Sequence, residues 1–421
     1  MVKQLVTFLA LIFAYAATNA ATPRVNTMTG IFDEHFHTLI TRNDDSPSSL
    51  PIIRLGSDDR LTIMFDEISD DRSYLRYSIT HCNADWQPSG LVDTEVLEGF
   101  NIGDIDDYAF SRATTVHYVN YRITLPNEDF QFKVSGNYLL KVYNEDDPDT
   151  ILLQTRFMIC EPTARVTADI LSATDVDYND SHQQLSVTVD ATDAHVDDVF
   201  NDLIVIIGQN GRLDNEVSLR QPLRAVGNKA VYEHLPRLIF PAGNEYRRFE
   251  IVQTTYPGMG VESIEYLYPY YHATLRPDSP RSSSSYLYDQ TQHGRFFVRE
   301  YNSDESDIDA DYMVVHFTLD MPENPNVSIF LDGDFVRRRF DPESLMTFNR
   351  ATGRYERVLL LKQGAYNYQY LAVPSGAGSG QTSAIEGDFY QTANEYLIKV
   401  YHRRRGERYD RFIGFTNAYF R

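Results

Sequence analysis

The chain has 421 residues, with 60 Asp/Glu against 38 Lys/Arg, a formal net charge of −22, and only two cysteines. So acidic a body argues against nucleic acid and anionic membrane surfaces as partners, and two cysteines exclude a disulfide-stapled scaffold. About 400 residues after a leader exceed one β-sandwich, so two to four domains are expected.

The N-terminus reads as a secretory signal over residues 1–20. Lys3 supplies the charge, an apolar run occupies 5–17, and small residues precede a cut after Ala20. The run is shorter than the roughly 20 residues a membrane span needs. No cysteine directly follows it, so a lipid anchor is not expected. The mature chain is predicted to be soluble and outside the cytoplasm.

Strand signals dominate the rest of the chain. It holds 29 Tyr and 24 Phe, and apolar residues alternate at 60–65, 185–189 and 327–331. No stretch carries a helical period, so an all-β protein is predicted, with three immunoglobulin-like sandwiches in series.

The first sandwich is placed at 21–162. An alternating strand ends at His81-Cys82 and runs into Asn83-Ala84-Asp85-Trp86-Gln87-Pro88-Ser89, which holds the only tryptophan. Such an ending either fixes a corner or builds a binding edge, and spacing alone leaves both open. Further on, 118–125 stops at Pro126-Asn127. Gly136-Asn137 opens a strand at Tyr138, and 152–160 returns as its hairpin partner. Cys82 and Cys160 are either bridged or two buried thiols.

The second sandwich is placed at 163–291. Residues 203–207 form a continuous apolar run expected of a central strand, and Asn210-Gly211 suits a tight turn. The segment 276–285, rich in Ser and Pro, reads as the link that closes this domain. The third sandwich is then 292–421. Its Gly333-Asp334-Phe335 turn and Gly364-x-Tyr366-x-Tyr368 strand resemble the starch- and glycogen-binding modules that accompany amylase-type enzymes. Sugar contact in those modules rests on exposed tryptophans, and this segment has none.

Candidate chemistry is sparse. His81, Asp85 and His117 around Cys82 could suggest nucleophilic catalysis, but a cysteine closing an alternating strand is expected to be structural. Asp175, Asp177, Asn179 and Asp180, and the run from Asp304 to Asp311, offer oxygen ligands. Both lack the glycine and distal glutamate of a calcium loop, so turns are expected. No phosphate loop, nucleophile elbow or metal helix motif is present, so neither an enzyme nor a cofactor is predicted. Partner contact is assigned to the triplets Arg337-Arg338-Arg339 and Arg403-Arg404-Arg405, and to Tyr268 and Tyr270. Arginines dock carboxylates, and exposed tyrosines add apolar area with little entropy to lose. Edge-strand protection is the competing use of such arginines.

His81 to Ser89, Glu98-Gly99-Phe100, Val116-His117-Tyr118, Leu125-Pro126-Asn127 and Ser135-Gly136-Asn137-Tyr138 occur in an order that closely resembles the plug proteins of the type IX secretion system of Bacteroidota. Where the family pattern has an Asn-Thr pair, this chain has Ala113-Thr114-Thr115. The resemblance implies a non-enzymatic periplasmic subunit, peripherally associated with the outer membrane. Its partner would be the outer-membrane translocon barrel, whose periplasmic opening it would seal. His81, Cys82, Asn83, Asp85, Trp86, Gly136, Asn137 and Tyr138 are taken as its structural motif. The competing reading is a carbohydrate-binding module protein of a polysaccharide-utilisation apparatus; a hydrolase with an unrecognised site is the third. No nucleic acid and no small-molecule substrate are expected.

Overall fold

The computed structural model describes residues 24–420 except 45, 47 and 48, so the predicted signal peptide lies outside the described residues. The protein is all-β. Among the described residues the helices are limited to short turns such as Asp93–Val96 and Ser306–Asp309.

The first sandwich packs two sheets face to face. Its larger sheet runs Gly30–Ile31, Asp147–Cys160, Gly136–Asn144, Leu75–Cys82, Gly103–Asp104, and the facing sheet runs Phe36–Asn43, Leu61–Glu67, Val119–Leu125, Asp107–Phe110. Alternation in Leu75–Cys82 sends Leu75, Tyr77 and Ile79 into a core shared with Phe65, Tyr121, Tyr138 and Phe157. Cys82 and Cys160 are separate buried thiols, which settles the question the spacing left open.

The other two sandwiches depart from the expected serial order. Leu203–Gln209 is buried throughout and central, as its apolar run predicts. Its neighbours, however, are Val217–Leu219 on one side and Glu395–His402 on the other, with Arg411–Tyr419 beyond. These face a sheet of Arg165–Leu171, His182–Asp190, Lys229–Tyr232 and Arg224–Val226. Tyr396, Ile398 and Val400 therefore share a core with Leu185, Val187 and Ile207.

The third sandwich is inserted into the second. It pairs Val261–Leu267 and Tyr270–Leu275 with Tyr312–Leu319, Arg354–Lys362 and Thr347–Asn349. Opposite lies Gly364–Pro374 with Arg247–Glu250, Phe296–Val298 and Val327–Asp332. Phe249 and Val261 thus pack with Phe317 and Tyr366 across the expected boundary at 291/292. The boundaries 163–291 and 292–421 do not match the sheets. The Ser/Pro-rich segment is no free link either. The Arg281 amide donates to the Ile385 carbonyl at 2.7 Å, and its guanidinium donates to buried Glu386 at 2.6 Å. Composition reports a segment's low apolar content but not the ion pair that anchors it. Asn210 and Gly211 do take the left-handed conformations a tight turn needs, but the strand resumes only at Val217.

Candidate functional site

The Asn83–Trp86 corner of the first sandwich is an interior joint with the second. After Cys82 the chain turns sharply: the Trp86 amide donates to the Asn83 carbonyl at 2.9 Å, and Trp86 itself sits at φ 63. That turn presents Asn83 and Ala84 to the C-terminal hairpin. The Ala84 amide donates to Asp410 Oδ2 at 3.0 Å, and the Asp410 amide donates to Asn83 Oδ1 at 3.2 Å. Asn137 Nδ2 donates to the Asn83 carbonyl at 2.9 Å, while the Tyr401 hydroxyl donates to Asn137 Oδ1 at 2.7 Å. Around these bonds Trp86, Leu139, Met158, Ile204, Ile206, Tyr401 and Phe412 form a buried cluster drawn from both sandwiches. Buried polar groups that are fully paired fix one arrangement, and here they fix the relative pose of two domains.

Gly136 supports this joint from behind. It has φ 146, and a Cβ there would lie 2.3 Å from His81 Nε2. The His81 ring is held by Ser89 Oγ at 2.7 Å and the Ser135 carbonyl at 3.2 Å, with Tyr138 edge-on at 5.0 Å. No carboxylate orients that ring, so a Ser–His bond serves here to pin the loop. Asp85 is exposed and closes its own turn onto the Gln87 amide at 3.1 Å. Burial pushes the Cys82 and Cys160 thiols up to about 12, leaving neither as a nucleophile at neutral pH.

Burial also pushes the His81 imidazole down to about 4 from its ordinary 6.5. A group that binds its proton less readily when folded stabilises the fold only while it is neutral. Stability should therefore fall as pH drops from about 6.5 towards 4. Between pH 7 and pH 5 the loss attributable to His81 should be about 2 kcal/mol. Urea titrations of the natural protein and His81→Gln at both pH values check this, the variant losing less by that amount.

A second joint, marked by no motif in the sequence, ties the first sandwich to the third. Asp66 lies near the end of an apolar strand and is fully buried; it accepts from Lys362 Nζ at 2.6 Å, the Tyr312 hydroxyl at 2.6 Å and Asn120 Nδ2 at 2.8 Å. Lys362 Nζ also donates to the Asp307 carbonyl at 2.6 Å and lies 4.0 Å from the centre of the Tyr118 ring. Val116, Tyr118 and Tyr312 close over the pair. The acidic run weighed for calcium belongs here. Asp311 accepts the amides of Thr115 and Val116 at 2.8 and 3.0 Å, Asp309 pairs Arg112 at 2.9 Å, and Asp307 pairs Arg122 at 3.1 Å. The acidic run at 175–180 is likewise tied up locally, with Asp177 on His182 and Asp175 on His234.

The residues assigned to partner contact divide. Arg337, Arg338 and Arg339 turn inward, which corrects their assignment as a docking patch. Arg338 is only 5% exposed, bonded to Asp334 at 2.8 Å and Asp332 at 3.2 Å, while Arg337 pairs Glu343 and Arg339 reaches the Thr29 carbonyl at 3.3 Å. Two aspartates at the start of a tight 3-10 turn pull the guanidinium in. Arg403 is half committed, to Asp410 at 2.7 Å; Arg404 and Arg405 are exposed. Tyr270 packs beside Tyr118 and Tyr312 and is corrected likewise, whereas Tyr268, at the hairpin tip, is 88% exposed beside exposed Tyr266 and Leu267. In the segment resembling a starch-binding module, Phe335, Tyr366, Tyr368 and Tyr370 are core, so none of them forms a sugar platform.

A family model described as the type 9 secretion system plug protein first domain matches residues 36–161, the extent of the first sandwich. The crystal structure of a hypothetical protein from Parabacteroides merdae ATCC 43184 is 43% identical, covering 94% of this chain and 100% of its own, with a TM-score of 0.93. The chain belongs to the type IX secretion plug family. Its role lies in type IX secretion. Because the Parabacteroides chain is covered end to end, the inserted third sandwich falls within the fold the two share. A DNA glycosylase of Pseudomonas fluorescens (10% identity, 30% of this chain and 29% of that one, TM-score 0.17) and a collagen adhesin of S. aureus (9%, 95% and 95%, 0.12) are too dissimilar to inform fold or function. No curated protein matches the chain. Among the described residues no helix is long and apolar enough to cross a membrane.

Proposed function

We propose that this plug-family protein is a non-enzymatic periplasmic subunit, peripherally held at the outer membrane. It docks on the periplasmic opening of the type IX translocon barrel and obstructs it until cargo passes. The observation that carries this reading is the family match on the first sandwich, together with the two buried joints that weld three sandwiches into one stiff body. A stopper must resist bending under load, and fully paired interior contacts do so better than flexible linkers. An acidic, polar exterior favours release after docking.

The exposed tip at Tyr266, Leu267 and Tyr268, and the turn at Arg404 and Arg405, are the contacts we assign to the barrel. An aromatic tip that buries on docking behaves as a hot spot, so Tyr268→Asp should weaken retention roughly tenfold or more. The check is affinity purification of the tagged mature protein from solubilised outer membranes, with quantification of the co-purifying barrel. Recovery of the protein only as free material in the culture medium would overturn the proposal. Equal retention by Tyr268→Asp and by Arg404→Ser/Arg405→Ser would move the contact elsewhere on the body.

A further inference from the structure

The joint with the first sandwich covers only one end of the outer face of the third sandwich's five-stranded sheet, at Tyr270, Tyr312, Leu360 and Lys362. Further along that face lie two histidines. On Tyr312–Leu319 the core takes Met313, Val315, Phe317 and Leu319, so His316 points to the opposite, outer side. On Tyr270–Leu275 the core takes Ala273 and Leu275, which puts His272 on the same outer side. The two strands run parallel, with His272 beside Val314 and Thr274 beside His316, so the rings are diagonal neighbours. His272 Nδ1 meets His316 Nε2 at 2.9 Å, with ring centres 5.2 Å apart.

Carboxylates flank this pair. Glu265 stands directly opposite His272 in the ladder, hence on the same face. It is exposed and has no hydrogen-bond or ion-pair partner among the described residues. On the far side Glu356 attracts His316, but its oxygens are taken by Asn349 at 2.9 Å and Thr352 at 2.7 Å. Val358, next to His316 on the adjoining strand, is 48% exposed, so the solvent side of the pair is open.

Among the described residues neither ring has another hydrogen-bond partner. Burial and the neighbouring His272 ring hold His316 below its ordinary 6.5, in its neutral form at neutral pH. A neutral imidazole carries its proton on one nitrogen and a lone pair on the other. If the donor ring moves its proton to its distal nitrogen, both facing nitrogens offer lone pairs, with no net proton gained or lost. Two nitrogens at right angles about an ion, each about 2.0–2.1 Å from it, are about 2.9 Å apart, as here. The rings meet end to end, so each turns towards the open solvent side to share an ion.

We propose that His272 Nδ1 and His316 Nε2 bind one late-transition-metal dication, with Glu265 as third ligand and water completing the coordination. Imidazole nitrogens select such ions over magnesium and calcium, which want oxygen, and the right-angle spacing favours copper(II). As placed, no three metal-ligating side chains converge among the described residues, so Glu265 joins by a rotamer change.

The test is calorimetric titration of copper(II) into the full mature protein without a histidine tag, in a large excess of magnesium. Magnesium occupies the diffuse sites that a chain at −22 offers to any dication. We expect one saturable copper equivalent, with hyperfine structure from two imidazole nitrogens in its paramagnetic resonance spectrum. His272→Gln and His316→Gln should each weaken binding by roughly tenfold or more, since even outer partners of a metal site are worth that much. Glu265→Gln should weaken it too, and unchanged affinity there would strike Glu265 from the ligand set. None of the three side chains is in the core, so unchanged thermal transitions mark the variants as folded. His117→Gln removes an exposed imidazole elsewhere and should bind like the natural protein. No saturable binding, displacement by magnesium, or equal affinity in the two histidine variants would overturn the site. The titration needs no translocon, so its result and that of the barrel pull-down stand or fall separately.

Discussion

Lys362→Met should destabilise the protein by about 3–5 kcal/mol, the usual cost of removing one partner from a buried ion pair. Lys362 is 1% exposed and Asp66 is 0% exposed, so the substitution leaves an unpaired carboxylate buried at the junction of the first and third sandwiches. Tyr312 and Asn120 still donate to Asp66, but neither cancels its charge. The double variant Asp66→Asn/Lys362→Met should recover most of the loss, because neutralising both members removes the uncompensated charge and keeps the shapes similar. Denaturant titration of the two singles and the double closes the cycle. A single variant costing under about 1 kcal/mol would mean that water reaches the pair and that the junction is not a rigid weld.

Trp86→Ala should cost a similar amount, about 3–5 kcal/mol, by emptying the centre of the joint between the first and second sandwiches. The indole is buried among Ile52, Met158, Ile206 and Phe412 and carries the Arg156 guanidinium on its face. The backbone sharpens the test. Trp86 sits at φ 63, where any side chain with a Cβ is strained and glycine is not. Trp86→Gly should therefore be no less stable than Trp86→Ala, and by up to about 1 kcal/mol more stable, reversing the usual order outside a left-handed position. Thermal denaturation of both variants decides it. If glycine proved the worse replacement, the turn that delivers Asn83 and Ala84 to Asp410 would not need this conformation.

Local structure was largely legible in the sequence. Alternation located Leu61–Glu67, Leu75–Cys82 and Val327–Asp332, and turn residues located the hairpin after Gly136. Strand partners were not. Tyr396 to Tyr401 falls inside the expected third sandwich at 292–421, and only the pairing with Leu203–Gln209 assigns it to the second. The joints illustrate a related limit. Asn83 and Trp86 stood out because the motif is unusual in composition, but that said nothing about which surface they met. Lys362 at the end of Val358-Leu359-Leu360-Leu361 and Asp66 after Met64-Phe65 were the available hints: a lone charge closing an apolar strand has to find its opposite somewhere. The arginine triplet at 337–339 misled for the same reason, since clustered charge looks like surface until aspartates at 332 and 334 are seen to draw it in.

The nesting of one sandwich inside another also governs the order in which the molecule can be completed. The first sandwich owns all its strands by Cys160, whereas the second lacks half of one sheet until Glu395–His402 and Arg411–Tyr419 exist. A chain emerging N-terminus first can finish its first and third units while the middle one stays open, its apolar face bare. Closure of that unit, and with it the grip of Asp410 on Asn83, therefore waits on Glu395–His402 and Arg411–Tyr419 being free to pair.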